Sequence, residues 1–189
     1  MFPILFWILD LCLFSNASPL LTIAAASGKS ILSSTQKSVD FQPLQVSNVS
    51  LACDRLNATA PFFCEVELNM HDPNSELQNR VTSCACNVTW AWDGATDIDN
   101  GNGGSSYKIC WMDDETFFEM RLLTFQSVNN FSMELAHSYK DDVHFTKPWD
   151  HPTIFALADL HLPVVKNEKN KIGVFDEGPI DAPVFMATL

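Results

Sequence analysis

Basic residues are scarce in this chain. Eleven Lys and Arg stand against 23 Asp and Glu, giving a formal net charge of −12 and a pI of about 4.6. Phosphate backbones and anionic membrane surfaces are held by clustered Lys and Arg, so this balance excludes nucleic acid as a partner class. It suits a solubilising surface, or a basic partner such as a cell-wall component. Glycine is sparse too, with seven residues in 189, and 14 Phe and five Trp argue against disorder. A 47% hydrophobic chain of this length can bury one sizeable, aromatic-rich core. No stretch has helical periodicity, and no internal repeat is visible.

The N-terminus lacks a basic residue before Lys29, yet Phe2 to Phe14 is nearly all apolar, the length of a secretory signal's central region. Ser15-Asn16-Ala17 then offers small residues for cleavage, with Ala24-Ala25-Ala26 as a second point. Asp10 interrupts the apolar run, and Asp10 and Asn16 would be costly inside a bilayer. The expectation is a signal peptide over 1–17 and a flexible Ser-rich leader over 18–38. A single secreted domain over 39–189 follows, extracellular, with no membrane segment in the mature form.

Export changes the cysteine arithmetic. Cys12 leaves with the signal, and Cys53, Cys64, Cys84, Cys86 and Cys110 remain. An odd set in an oxidising compartment means two disulfides and one extra thiol, free, buried or paired between two molecules. Asn48, Asn57, Asn87 and Asn130 head glycosylation triplets, as does Asn16 in the signal. Composition alone gives about two such triplets, so the excess agrees with export.

Period-2 alternation marks the strands. Val49, Leu51 and Cys53 alternate with Ser50 and Ala52, and Cys64, Val66, Leu68 and Met70 with Glu65, Glu67 and Asn69. His71 to Ser75 reads as a turn, and Gly94 to Ser106 as a long polar loop. In the strand Val81 to Asp93, Cys84, Cys86, Val88, Trp90 and Trp92 share one face and Asn87 the other. A glycan needs water and a disulfide usually faces the core, so the two features agree on orientation. Further strands are expected over Tyr107–Met112, Thr116–Phe125, Phe131–Tyr139 and Ile154–Leu162, with Pro183 to Met186 as an edge strand. The expected fold is all-β, a single antiparallel barrel or sandwich stapled by disulfides.

Candidate chemistry is thin. Asp93, Asp97 and Asp99 suggest a calcium loop, but the glycine and glutamate that such a loop needs at fixed positions are missing. Asp113-Asp114-Glu115 has turn composition, and paired carboxylates for a hydrolase would have to converge from elsewhere. His137, His144 and His151 recur every seven residues, but Pro148 and Pro152 deny the helix that would align them for a metal. No nucleophile elbow or phosphate-binding glycine loop occurs. No catalytic residue, metal site or cofactor is therefore assigned.

Many pairings of two bridges among five cysteines are open. Cys84 and Cys86 cannot easily bridge each other along one strand face, and Cys110 follows on a later strand. Cys53 and Cys64 flank a short connection able to close a hairpin. The expected set is Cys53–Cys64 and Cys86–Cys110, with Cys84 as the odd thiol and a possible link for a dimer.

The segments Cys86…Trp90, Cys110 and Ala136-His137-Ser138-Tyr139-Lys140-Asp141 resemble a group of small secreted fungal proteins. Their domain is like that of the major Alternaria allergen, a β-barrel. The likeness runs from about Phe41 to Leu162, and no cysteine follows Cys110 where that group would lead one to expect more. It implies an extracellular, non-enzymatic, effector- or allergen-like protein that binds a host or cell-wall component. It transfers no catalytic residue. Two alternatives remain from the residues themselves: a β-barrel carrier of a small apolar ligand, with Trp90, Phe118 and Phe131 lining its interior, and a carboxylate-based secreted hydrolase.

Overall fold

A computed structural model describes residues 40–78, 81–101 and 106–189. The expected signal and leader, with Cys12 and Asn16, lie outside the described residues. Among these residues twelve strands make two antiparallel sheets, with one 3-10 turn besides. In the first, β3 (Ser83–Trp92), β2 (Phe62–His71) and β1 (Leu44–Asp54) lie side by side. β1 then pairs along its far edge with β10 (Lys171–Asp176) and β11 (Ile180–Ala182), and β9 (Val164–Glu168) closes that side. In the second the order is β12 (Val184–Thr188), β8 (Thr153–Leu160), β7 (Asn130–Tyr139) and β6 (Thr116–Ser127). β6 carries both β4 (Ile98–Asp99) and β5 (Lys108–Met112) on its outer edge.

Apolar residues at alternate positions of both sheets form one buried cluster between them, from Leu44, Leu51 and Val66 on one side to Phe118, Met133 and Leu160 on the other. The all-β sandwich expected from alternation is thus the architecture, half closed as a barrel where β3 and β5 run together. Cys53 lies directly opposite Cys64 across β1 and β2, and the two are bonded. A second bridge, Cys86–Cys110, joins β3 of the first sheet to β5 of the second and leaves Cys84 as a free thiol. A bridge that closes a loop of 10 to 25 residues restricts the unfolded chain by about 3 kcal/mol in the chain-entropy account.

Three parts of the chain differ from their reading as sequence. The Gly94–Ser106 loop contains β4, whose two residues are too few to show alternation. The turn after β2 is a 3-10 helix over Pro73–Gln78, packed so that Asp72 and Ser75 are buried. The tail supplies four strands where one was expected. Pro163, Pro179 and Pro183 fall just before β9, β11 and β12, where a missing N–H costs no ladder bond.

β1 also changes face midway. Leu44 and Val46 are buried at even positions, Val49, Leu51 and Cys53 at odd ones, and the switch is a bulge between Ser47 and Ser50. Asn48 takes φ 51° there and its N–H donates to the Glu177 carbonyl at 3.0 Å. Asn tolerates this left-handed backbone better than most residues. Gly178, opposite, has φ 70°, and a Cβ on it would stand 2.7 Å from the Val46 carbonyl oxygen. Both the angle and the approach demand glycine. Gly178→Ala is expected to lower the urea unfolding free energy by roughly 1–3 kcal/mol; an unchanged midpoint would contradict this account of the bulge.

Candidate functional site

Two places in the fold gather polar side chains. The first is internal. Asp72, just past β2, and His137, on β7, have wholly buried side chains, and His137 Nδ1–H donates to Asp72 Oδ2 at 2.6 Å. Asp72 Oδ1 accepts the Asn74 backbone N–H at 2.8 Å and its side-chain amide at 2.6 Å. Asn74 in turn exchanges hydrogen bonds with the backbone of Gln42. The imidazole stacks on Phe118, with ring centres 3.7 Å apart, and abuts Tyr139. Its Nε2 is buried and has no hydrogen-bond partner among the described residues.

This Asp–His pair has the outline of a catalytic dyad, but a closed one. Burial of His137 outweighs the Asp72 carboxylate and lowers its pKa, so the ring is held neutral. Burial and the Asp72 and Asp141 carboxylates raise the Tyr139 hydroxyl above its usual range. The dyad joins the β2–β3 connection to the second sheet.

The histidines of the sevenfold spacing are not brought together. His144 Nδ1–H donates to Asp141 Oδ2 at 2.8 Å, His151 lies 3.5 Å from Asp150 Oδ1, and His161 is exposed. Among the described residues no three potential ligands form a metal-binding group. The acidic segments are turns. Asp93 Oδ1 accepts the N–H groups of Ala95 and Thr96, and with the Thr96 hydroxyl on Oδ2 its pKa falls to about 2. Asp113 Oδ1 accepts from Glu115 and Thr116. Glu134, buried on β7, takes hydrogen bonds from Arg121 and from the Tyr107 hydroxyl, the latter at 2.6 Å. The buried carboxylates of Asp72, Asp141 and Glu134 each meet a donor of their own rather than a second carboxylate across a cleft, while Asp93 and Asp113 are exposed.

The second place is a groove of about 490 Å³ on the outer side of the β3–β5 junction. Outward positions of the β2–β3 hairpin supply Glu67, Asn69 and Asn87, the β1 bulge supplies Asn48, and β5 supplies Lys108 and Ile109. Glu67 sits directly opposite Asn87 in the ladder. Cys86 and Cys110 also line it, so their bridge fixes the spacing of its two walls. Asn87 is engaged at both ends of its amide: Nδ2 donates to Glu65 Oε1 at 2.8 Å, and Oδ1 accepts from Lys108 Nζ. Ile109, Trp111 and Met112 of the same short strand β5 are exposed by 51%, 46% and 64%.

The interior positions proposed to line a carrier are packed. Phe118 is buried under His137, while Trp90 and Phe131 lie against Phe125 at 5.2 and 6.2 Å between ring centres. Cys84 is half-buried, and burial pushes its thiol up to about 12. A thiolate is the species that forms a bridge, so Cys84 is a poor link between two chains.

Each sequon is placed differently. Asn57 is exposed in the β1–β2 loop, where Oδ1 accepts from Thr59 N–H and Oγ–H at 3.0 and 2.8 Å. Asn130 is half-buried, its amide donates to Gln126 Oε1 at 2.6 Å, and the Ser132 of its triplet is buried. Asn48 and Asn87 both line the groove. Sequence reasoning did find Asn87 on the face away from the core. It missed that this face is one wall of a groove, because the other wall comes from β5.

No family model, curated protein or solved structure matches this chain.

A neutral buried His137 has a consequence for acid stability. With the folded pKa below the unfolded value of about 6.5, the unfolded chain takes up a proton that the folded chain refuses. Stability is therefore expected to fall as pH drops below about 6.5, by up to about 1.4 kcal/mol per pH unit. Urea unfolding followed by Trp fluorescence at pH 7.5 and 5 should show this loss. His137→Gln, less stable at pH 7.5, should lose less between the two; an equal loss would remove His137 from the account.

Proposed function

We propose that this chain is exported and acts outside the cell as a non-enzymatic binding protein, effector- or allergen-like, that engages a host or cell-wall component through the β3–β5 groove. The observation that carries this reading is the contrast between a packed interior and an open, polar groove at the sheet junction. A carrier needs volume between the sheets, and Trp90, Phe118 and Phe131 occupy that volume themselves. A carboxylate hydrolase needs two facing acids, whereas Glu134, Asp72 and Asp141 are each held by an Arg, Tyr or His.

Two disulfides fit an oxidising, extracellular compartment, and among the described residues no helix is long and apolar enough to cross a membrane. The disulfides support export, as do the apolar N-terminus and the sequons. Of the four sequons in the described residues, Asn57 suits a glycan best, because its Nδ2 is exposed and has no partner among those residues. Asn87 suits an unmodified side chain, since a sugar on Nδ2 would break the Glu65 contact and fill the groove.

The reading is tested by co-sedimentation of the secreted protein with insoluble wall preparations. Wild type is expected to pellet, and Glu67→Arg and Ile109→Asp to lower the bound fraction at least tenfold. Phe63→Asp, at an exposed position of β2 away from the groove lining, should bind as wild type does. Equal binding by the groove variants, with near-UV circular dichroism unchanged, would overturn the assignment.

A further inference from the structure

We infer that the groove takes a neutral, hydroxyl-rich ligand, a saccharide, an inference that rests on the groove being the binding surface. The argument starts from which lining groups are committed and which are not. Asn87 is committed at both ends, and its Oδ1 holds the Lys108 ammonium in place. Asn48, Glu67 and Asn69, by contrast, line the same groove with no side-chain partner among the described residues. Three free planar groups, two amides and one carboxylate, together offer paired acceptors and paired N–H donors.

Their placement follows from the register. Glu67 and Asn69 are two residues apart on one face of β2, about 7 Å along the strand. Asn48 comes from β1, at the bulge between Ser47, which pairs with Asn69, and Ser50, which pairs with Glu67. The left-handed backbone at Asn48 is what turns a residue of an inward-facing strand out to the groove. Opposite them stand Lys108 and the half-exposed Ile109. The result is a row of polar groups set beside the apolar Ala85 and Ile109 and a disulfide. A pyranose presents that same division: hydroxyls around its edge and C–H groups on its face.

Other ligand classes fit less well. An apolar ligand would leave Asn48, Glu67 and Asn69 desolvated without partners, which is costly. An anion would meet Glu67 inside the groove, Glu65 beside Asn87, and a net charge of −12 beyond them. A compact cation would find Lys108 in place with its charge against it. A volume of about 490 Å³ lies within the range of small-ligand sites.

Calorimetric titration of the full secreted protein, checked by amide chemical shifts, tests this with three probes: chitohexaose, laminarihexaose and the anionic hexagalacturonate. At least one neutral hexamer is expected to bind, and to shift amides of Glu67, Asn69, Asn87 and Lys108. Asn69→Ala should weaken that binding about tenfold, the loss of one or two hydrogen bonds. Asn130→Ala, remote from the groove, should leave it unchanged. Tighter binding of hexagalacturonate than of either neutral hexamer overturns the inference, as does neutral binding that Asn69→Ala does not weaken. If none of the probes binds while Glu67→Arg still abolishes wall binding, the saccharide fails and the groove stands. If Glu67→Arg leaves wall binding intact, both fail.

Discussion

The Cys86–Cys110 bridge is the constraint on which the rest of this structure turns. Among the described residues each sheet ends in a strand that lacks a ladder partner on one side, β3 in one and β5 in the other. Unpaired edges invite association with another chain. Here the two edges are brought together and bonded, so the sandwich is closed along that side. The same bond sets how far apart Asn87 and Lys108 stand, and their contact joins the two walls of the groove. Binding surface and fold closure therefore share a single covalent link. β5 depends on it most, having five residues that are mostly exposed and a ladder to β6 alone.

A second tie holds the connection of the β2–β3 hairpin. Asp72 reaches across to His137, and Asn74 reaches back to Gln42, so the connection between the groove-bearing strands is anchored to the second sheet and to the segment before β1. Neutral His137 makes this tie acceptable in a dry interior. A buried imidazolium would bring a second N–H with no acceptor, which is costly. The hairpin is thus held by a disulfide at Cys86, three residues from its connecting end, and at that connection by a polar contact that favours neutral pH over acid. Preorganisation of this kind reduces what a ligand must spend on ordering its site.

Much of the fold was legible because burial imposes alternation. Cys64 to Met70, Phe131 to Tyr139 and Ile154 to Leu160 each show period 2, and each is a strand with the expected face inside. The illegible parts have physical reasons. A bulge shifts parity, so Leu44 and Val46 do not continue the pattern of Val49 and Leu51. An edge strand such as β9, exposed at all five positions, has no face to bury and no pattern to read. Asp72 sits in a segment of turn composition, and nothing nearby in sequence announces a histidine 65 residues away. The groove was the least visible feature. Its residues occupy outward positions, where alternation says only "polar", and they meet because β3 and β5 adjoin in space.

The central claim is that the ligand engages the outer β3–β5 junction while the interior between the sheets stays closed. Hydrogen–deuterium exchange of the full secreted protein, with and without a soluble fragment of the wall material it pellets with, tests this most directly. The account predicts slower exchange confined to the Asn48 bulge, Glu67–Asn69, Ala85–Asn87 and Lys108–Cys110, with β7 and β8 unchanged. Protection centred on Phe118, Phe131 and the inward positions of β7 would place the ligand between the sheets and contradict it.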